Sequence, residues 1–246
     1  MYELPQTIER NSFEQWVSSA LNTPKIPSVR KVAKIGGISK STLSYQLTAN
    51  AIDPRIVIAV SRGQDLNPLQ QLGTFPGYES LKNKPQSLNI PEVLSLIHDR
   101  DVYAEIARRF HLEIKEKQLD PVAKENTWYS WFKTAAPSAT YATLKEITGV
   151  SQSMVTRNHQ SANWNIEQLI AISHALNLSP HLALVASGNL ALHEAGYSAT
   201  TKEQALAAAT NQELQSRLEK IAPNLAQDLE QHLESEITHA IVEHLA

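Results

Sequence analysis

One pattern of apolar, glycine and serine positions occurs twice in this chain, 112 residues apart. The first copy, VAKIGGISKSTLSYQL, runs from Val32 to Leu47; the second, LKEITGVSQSMVTRNH, runs from Leu144 to His159. Ile35, Gly37, Ser39 and Ser41 fall on Ile147, Gly149, Ser151 and Ser153. The register holds downstream, where Ile58, Ala59, Ser61, Leu66, Pro68 and Leu72 fall on Ile170, Ala171, Ser173, Leu178, Pro180 and Leu184. Upstream, with three residues of slippage, Phe13, Trp16, Val17 and Ala20 match Trp128, Trp131, Phe132 and Ala135. Both upstream sets are spaced i, i+3, i+4, i+7, one face of a helix. The repeat predicts two related helical domains, at residues 1–73 and 126–188.

Each copy reads as two short helices joined by a tight turn. Ala33 is small enough for a second helix to cross closely. Gly37 stands where the chain turns and φ becomes positive. Ile38 is expected as a buried plug. Ser39 is a good N-cap, its hydroxyl accepting a backbone N–H of the next helix. That helix is expected from Lys40 to about Thr48, with Leu43 and Leu47 inward. Lys40, Ser41, Ser44 and Tyr45 then face outward. In the second copy Ser151 is the cap, and Gln152, Ser153, Thr156 and Arg157 face outward.

The small residue at Ala33, then Gly37, Ile38, Ser39, Ser41 and Leu43, resemble the lambda-repressor-like (Cro and XRE type) helix-turn-helix domain. With its second copy, the resemblance covers about half the chain. It implies five-helix domains whose third helix enters a DNA major groove. It also implies sequence-specific binding of duplex DNA by a transcriptional regulator. The most specific form is a phage or prophage immunity repressor that occludes promoter DNA. Arg30, Lys31 and Lys34 would approach phosphates near the start of helix two, where the helix dipole favours an anion; a solvated charged face is the plainer reading. Ser39, Lys40, Ser41, Ser44 and Tyr45 would form the first reading surface. Gln152, Ser153, Thr156 and Arg157 would form the second, since Gln fits adenine and Arg fits guanine. Asn163 is placed for a phosphate contact, and Asn165 for that or for capping the next helix. His159 stands where the first copy has Leu47 and reads as a core or helix-end histidine. Lys145 replaces Ala33, a departure that predicts looser packing in the second copy.

Composition narrows the alternatives. The 246 residues include no Cys, which excludes disulfides, thiol catalysis and Cys-type zinc sites and fits a reducing cytoplasm. The N-terminal MYELPQTIER has no apolar run of the signal-peptide kind, and no window is apolar enough to span a membrane. Gly is scarce and period-2 apolar runs are absent, so an all-α fold is expected. The net charge of −3 conceals an asymmetry. Residues 1–73 carry eight Lys or Arg against five acids, and residues 189–246 carry three against nine. The basic end is the one expected to meet nucleic acid.

Residues 74–125 read as a linker with helices. A short helix is expected from Pro91 to Ile97, and a longer one from Asp99 to about Gln118. Val102, Ile106, Phe110 and Ile114 mark one face of the longer helix, which either bridges the two domains or packs on one of them. As a bridge it would be roughly 30 Å long, matching tandem docking of two different readers on an asymmetric site. Residues 189–246 read as acidic and helical. A helix from Thr200 or Thr201 to about Ala222 carries Leu206, Leu214, Leu218 and Ile221; a last one after Pro223 carries Leu225, Leu229, Leu233, Ile237 and Ile241. Such a stripe packs on the body or on another chain, so residues 200–246 are a candidate for homo-oligomerisation. His232, Glu236, His239 and Glu243 share a face, which a polar surface explains without a metal. No Gly-rich phosphate loop or Ser-Lys dyad is present, so no catalytic residue, cofactor or enzyme activity is expected. The rival reading is a protein-interaction module, an antitoxin or scaffold built on the same fold.

Overall fold

The computed structural model describes residues 7–87, 90–97, 99–109, 127–198 and 200–221. In chain order the first helices are α1 (Arg10–Ala20), α2 (Val29–Ile35), α3 (Lys40–Thr48), α4 (Pro54–Arg62) and α5 (Pro68–Leu72). There follow α6 (Ile90–Ser95), α7 (Asp99–Arg109), α8 (Thr127–Ala135), α9 (Tyr141–Thr148) and α10 (Gln152–Ser161). The last are α11 (Ile166–Ala175), α12 (Pro180–Ala186), α13 (Thr201–Ala208) and α14 (Asn211–Ile221). A 3-10 turn at Glu79–Lys82 and an isolated bridge between Ile8 and Ile52 complete the regular structure among the described residues. The fold is all-α.

The chain divides into two compact units, one of residues 1–87 and 135–199, the other of 88–134 and 200–246. The first unit holds α1 to α5 and α9 to α12. Its helices begin where the sequence supplies an oxygen for an orphan N–H. Ser28, Ser39, Asp53 and Asn67 cap α2 to α5; Thr140, Ser151, Asn165 and Ser179 cap α9 to α12. The repeat register extends to the backbone. Gly37 and Gly149 have φ of 62° and 69°, Asn50 and Ala162 of 52° and 54°, Asp65 and Asn177 of 52° and 53°. Ser61 and Ser173 each donate to the carbonyl four residues back, at 2.7 Å. The core of the first copy includes Phe13, Val17, Leu43, Val57, Val60 and Leu72; that of the second includes Leu144, Val155, Leu169, Ile172 and Leu184.

Several expectations change. Ile38 is half-buried and is not a plug of the core. Lys145 points to solvent, while Leu144, Ile147 and Thr148 bury the inner face of α9. By sequence α8 opens the second copy, yet up to Thr134 it groups with the other unit. There Trp128, Trp131 and Phe132 are buried and pack ring on ring.

The second unit joins α6, α7 and α8 to α13 and α14. Val93, Leu94, Ile97, Val102, Tyr103 and Ile106 share one apolar cluster with Ala205, Ala209 and Leu214. The face of α7 therefore packs on the C-terminal helices. The described part of α7 ends at Arg109; Phe110 and Ile114 lie outside the described residues. The single helix expected after Thr200 is two, because Thr210 and Glu213 form a capping box. The Thr210 hydroxyl accepts the Glu213 N–H at 3.2 Å, and Glu213 accepts the Thr210 N–H at 2.8 Å. The tail as far as α14 thus packs within its own chain. The stripe from Leu225 to Ile241 and the His232–Glu243 face lie outside the described residues.

Arg109 fastens α7 to the end of α13. Its guanidinium donates to the carbonyls of Leu206 (2.6 Å), Ala207 (3.3 Å) and Ala209 (2.7 Å), and to Glu105 (2.7 Å). Orphan carbonyls at a helix C-terminus are thereby satisfied by a cation. Hydrogen bonds from Arg108 and Arg109 hold the Glu105 carboxyl at a pKa of about 2. Its unfolded value is about 4.3, so its contribution is complete above that pH and is lost as pH falls toward 2. Urea midpoints of the second unit should therefore drop between about pH 5 and pH 2.5, and Glu105→Gln should flatten that drop.

Gly63 ends α4 directly against α2, and an added Cβ there would collide with the Ile35 carbonyl oxygen. Gly63→Ala should cost about 1–3 kcal/mol in urea unfolding.

Candidate nucleic-acid interface

The turn between α2 and α3 is built by backbone hydrogen bonds that need a left-handed residue. Ile38 N–H bonds the Ala33 carbonyl (3.0 Å), and Gly37 N–H bonds that of Lys34 (3.3 Å), a Schellman closure with Gly37 left-handed. In the second copy Gly149 N–H bonds the Lys145 carbonyl at 2.9 Å, the simpler left-handed cap. Both turns deliver a serine to the start of the next helix. Ser39 accepts the Thr42 N–H at 3.1 Å and lies 2.6 Å from the Ser41 hydroxyl. Ser151 accepts the Met154 N–H at 3.4 Å and lies 3.1 Å from the Ser153 hydroxyl. Ser39 is exposed, but its hydroxyl is already engaged in holding the helix start.

The two helices that follow bury one edge and leave the other in water. On α3, Leu43 and Leu47 are buried, Lys40 and Ser41 are exposed, and Ser44 is half-buried. Tyr45 is 75% exposed, the most exposed large apolar side chain among the described residues. On α10, Val155, Asn158 and His159 are buried. The His159 ring meets that of Tyr141 edge-on at 5.2 Å, so this histidine belongs to the core. Gln152, Ser153 and Arg157 are exposed and Thr156 is half-buried. Thr156 spends its hydroxyl proton on the Gln152 carbonyl (3.1 Å), and Arg157 rests against the Met154 sulfur (2.8 Å). Asn163 is exposed. Asn165 caps α11, accepting the Gln168 N–H at 2.8 Å.

Charge separates the two faces. Arg30, Lys31 and Lys34 on α2 are exposed, as are Lys25 and Lys40. Among the described residues none of these five forms an ion pair. The second face offers Arg157 and Lys145, with Glu146 beside the latter.

What the sequence did not reveal is how the first unit ties the two copies together. Arg62 forks onto Glu194 (2.6 and 2.7 Å) and also donates to the Asn189 carbonyl (2.8 Å). Arg55 donates to the Trp164 carbonyl (2.8 Å) and to Asn189 Oδ1 (3.3 Å). Asn67 Nδ2 donates to the Glu194 carbonyl (3.2 Å). His181 Nε2 lies 3.2 Å from the Leu81 carbonyl; burial lowers the His181 pKa, against the Leu81 and Asn83 carbonyls that raise it. The buried Tyr78 hydroxyl makes no hydrogen bond of ordinary geometry but stands beside Glu167. Burial, then that carboxylate, push the Tyr78 pKa up; burial also raises Glu167. None of these contacts uses α3 or α10. The one sequence signal for this surface is the pair Arg55 and Arg62, seven residues apart on one face of α4.

A cleft of about 620 Å³ lies between α1 and α5, with Trp16 donating to Gln71 at 2.9 Å in its wall. No titratable side chain lines it, so it offers no acid–base chemistry. Among the described residues no group of three His, Asp or Glu is placed to hold a metal ion, and no helix is long and apolar enough to cross a membrane. No known protein family, curated protein or solved structure matches the chain.

The Arg62 fork lowers the Glu194 pKa, so its contribution is complete above the unfolded value, about 4.3, and fades as pH falls through the folded value. Arg62→Ala should lower the stability of the first unit by about 1 kcal/mol at neutral pH, the pair being partly screened by water. The difference from wild type should shrink on acidification, as read by urea titration at both pH values.

Proposed function

We propose that this chain is a sequence-specific duplex-DNA-binding transcriptional regulator of the lambda-repressor-like type, most specifically a phage or prophage repressor acting by promoter occlusion. One observation carries the reading. Two copies of a helix, a left-handed glycine and a serine-capped helix each leave a polar helix face in water, and the first stands beside cations without acidic partners. A helix so presented suits a major groove, where Lys40 and Arg157 suit guanine and Gln152 suits adenine. Arg30, Lys31 and Lys34 suit phosphates. In this reading Tyr45 contributes apolar contact or stacking at the groove, and Asn163 a backbone contact. The chain does no chemistry; it excludes other proteins from the DNA it covers.

Selection from random duplexes would supply the site, and titration of that site across salt concentrations tests the phosphate contribution. Affinity should fall steeply with salt, by a log–log slope of about −0.9 per phosphate neutralised. Lys31→Ala should reduce that slope by about 1 and weaken all sequences alike. Arg157→Ala should cost about 1–3 kcal/mol at one base position only. A chain that selects no sequence and shows a flat salt response is not a DNA reader. That outcome would favour the protein-interaction reading, an antitoxin or scaffold.

A further inference from the structure

Contacts between the two copies in the first unit come in reciprocal pairs. In the 112-residue register Asn67 corresponds to Ser179, and Glu194 to Lys82. Asn67 bonds the Glu194 carbonyl. The exchanged contact joins the start of α12 to the neighbourhood of Lys82, and it is present: His181 bonds the Leu81 carbonyl. Arg55 corresponds to Glu167, Trp164 to Ile52 and Asn189 to Gly77. Arg55 bonds Trp164 and Asn189. In exchange, the Glu167 carboxyl interacts electrostatically with Asp53 and Tyr78, each one residue from the expected partner.

A head-to-tail arrangement sets one surface of the first copy against a different surface of the second, and gives no reason for contacts to recur with roles exchanged. A two-fold arrangement requires it. The Arg62–Glu194 fork is the departure, because its mirror positions hold His174 and Lys82, which cannot form an ion pair. The symmetry is therefore approximate, and the fork adds an attraction on one side only.

We infer that one chain carries an internal pseudo-dimer, whose two reading helices are related by an approximate two-fold axis and fit an imperfect inverted repeat in duplex DNA. The inference rests on the DNA-binding reading above and sets the form of the site. Two-fold-related readers meet half-sites in opposite orientation, as in a homodimer. Here the half-sites differ in sequence, because α3 offers Lys40, Ser41 and Tyr45 where α10 offers Gln152, Ser153 and Arg157. This replaces the tandem docking that the sequence suggested.

The full-length chain tests it, with duplexes carrying the two selected half-sites as an inverted repeat, as a direct repeat, or singly. The inverted arrangement should bind one chain per duplex, at least about tenfold more tightly than either alternative. Because the chain lacks Cys, Thr48→Cys and Gln160→Cys place a tethered DNA-cleaving chelate at equivalent ends of α3 and α10. Their cuts should fall on opposite strands, mirrored about one centre. Equal or tighter binding to the direct repeat, two chains per inverted site, or cuts displaced along one strand would overturn the inference while leaving DNA binding intact. Binding to no duplex at all would overturn the DNA reading and this inference with it. Should the chelate weaken binding, the comparison of untagged chain on the three duplexes still decides.

Discussion

The left-handed turn ahead of α3 and of α10 is the constraint on which the first unit depends. For an L-residue that conformation brings Cβ against its own backbone, at a cost of roughly 1–2 kcal/mol. Gly37 and Gly149 have open space where a Cβ would stand, so backbone conformation alone demands glycine there. Once the turn is made, the last carbonyls of α2 and α9 are satisfied and the next serine is delivered to its capping position. The buried residues of α3 and α10 then fall on one edge, and the polar residues have only water to face. A single dihedral angle thus sets both the packing and the exposed surface.

Elsewhere in this unit the chain repeats its devices and varies their chemistry. Leu47 and His159 occupy one buried position, and the histidine there meets the Tyr141 ring edge-on. Asp53 and Asn165 cap equivalent helices, one through a carboxyl oxygen and one through an amide oxygen. The exposed faces of α3 and α10 differ most, with Lys40 and Tyr45 on one and Gln152 and Arg157 on the other. Such divergence costs no stability, because exposed residues are the ones the fold does not constrain.

The second unit shows a different economy. Its described helices are short, and Arg109 connects them by covering the carbonyl end of α13 while Glu105 neutralises its charge. Three carbonyls, one carboxylate and one guanidinium give the joint a direction that an apolar contact alone would not. Its helix break is written in the sequence as Thr210 and Glu213, a capping box inside what otherwise scans as one continuous apolar period.

Local signals were readable from the residues: the repeat, the serine-capped starts of α3 and α10, the glycine turns, the inward Leu43 and the outward Lys40 and Arg157. Each depends on neighbours within about four positions, the range over which helical periodicity and capping act. Grouping was not readable in this way. That α8 leaves the second copy, that α7 packs on α13 and α14, and that Arg55 and Arg62 reach residues more than a hundred positions away follow from which surfaces meet in space. An amphipathic face declares that it needs a partner but not which one, since apolar burial is non-directional. Sequence determined the elements and the faces they present; only tertiary structure decided their partners, because the hydrogen bonds that choose among them join atoms the chain brings together only after it has folded.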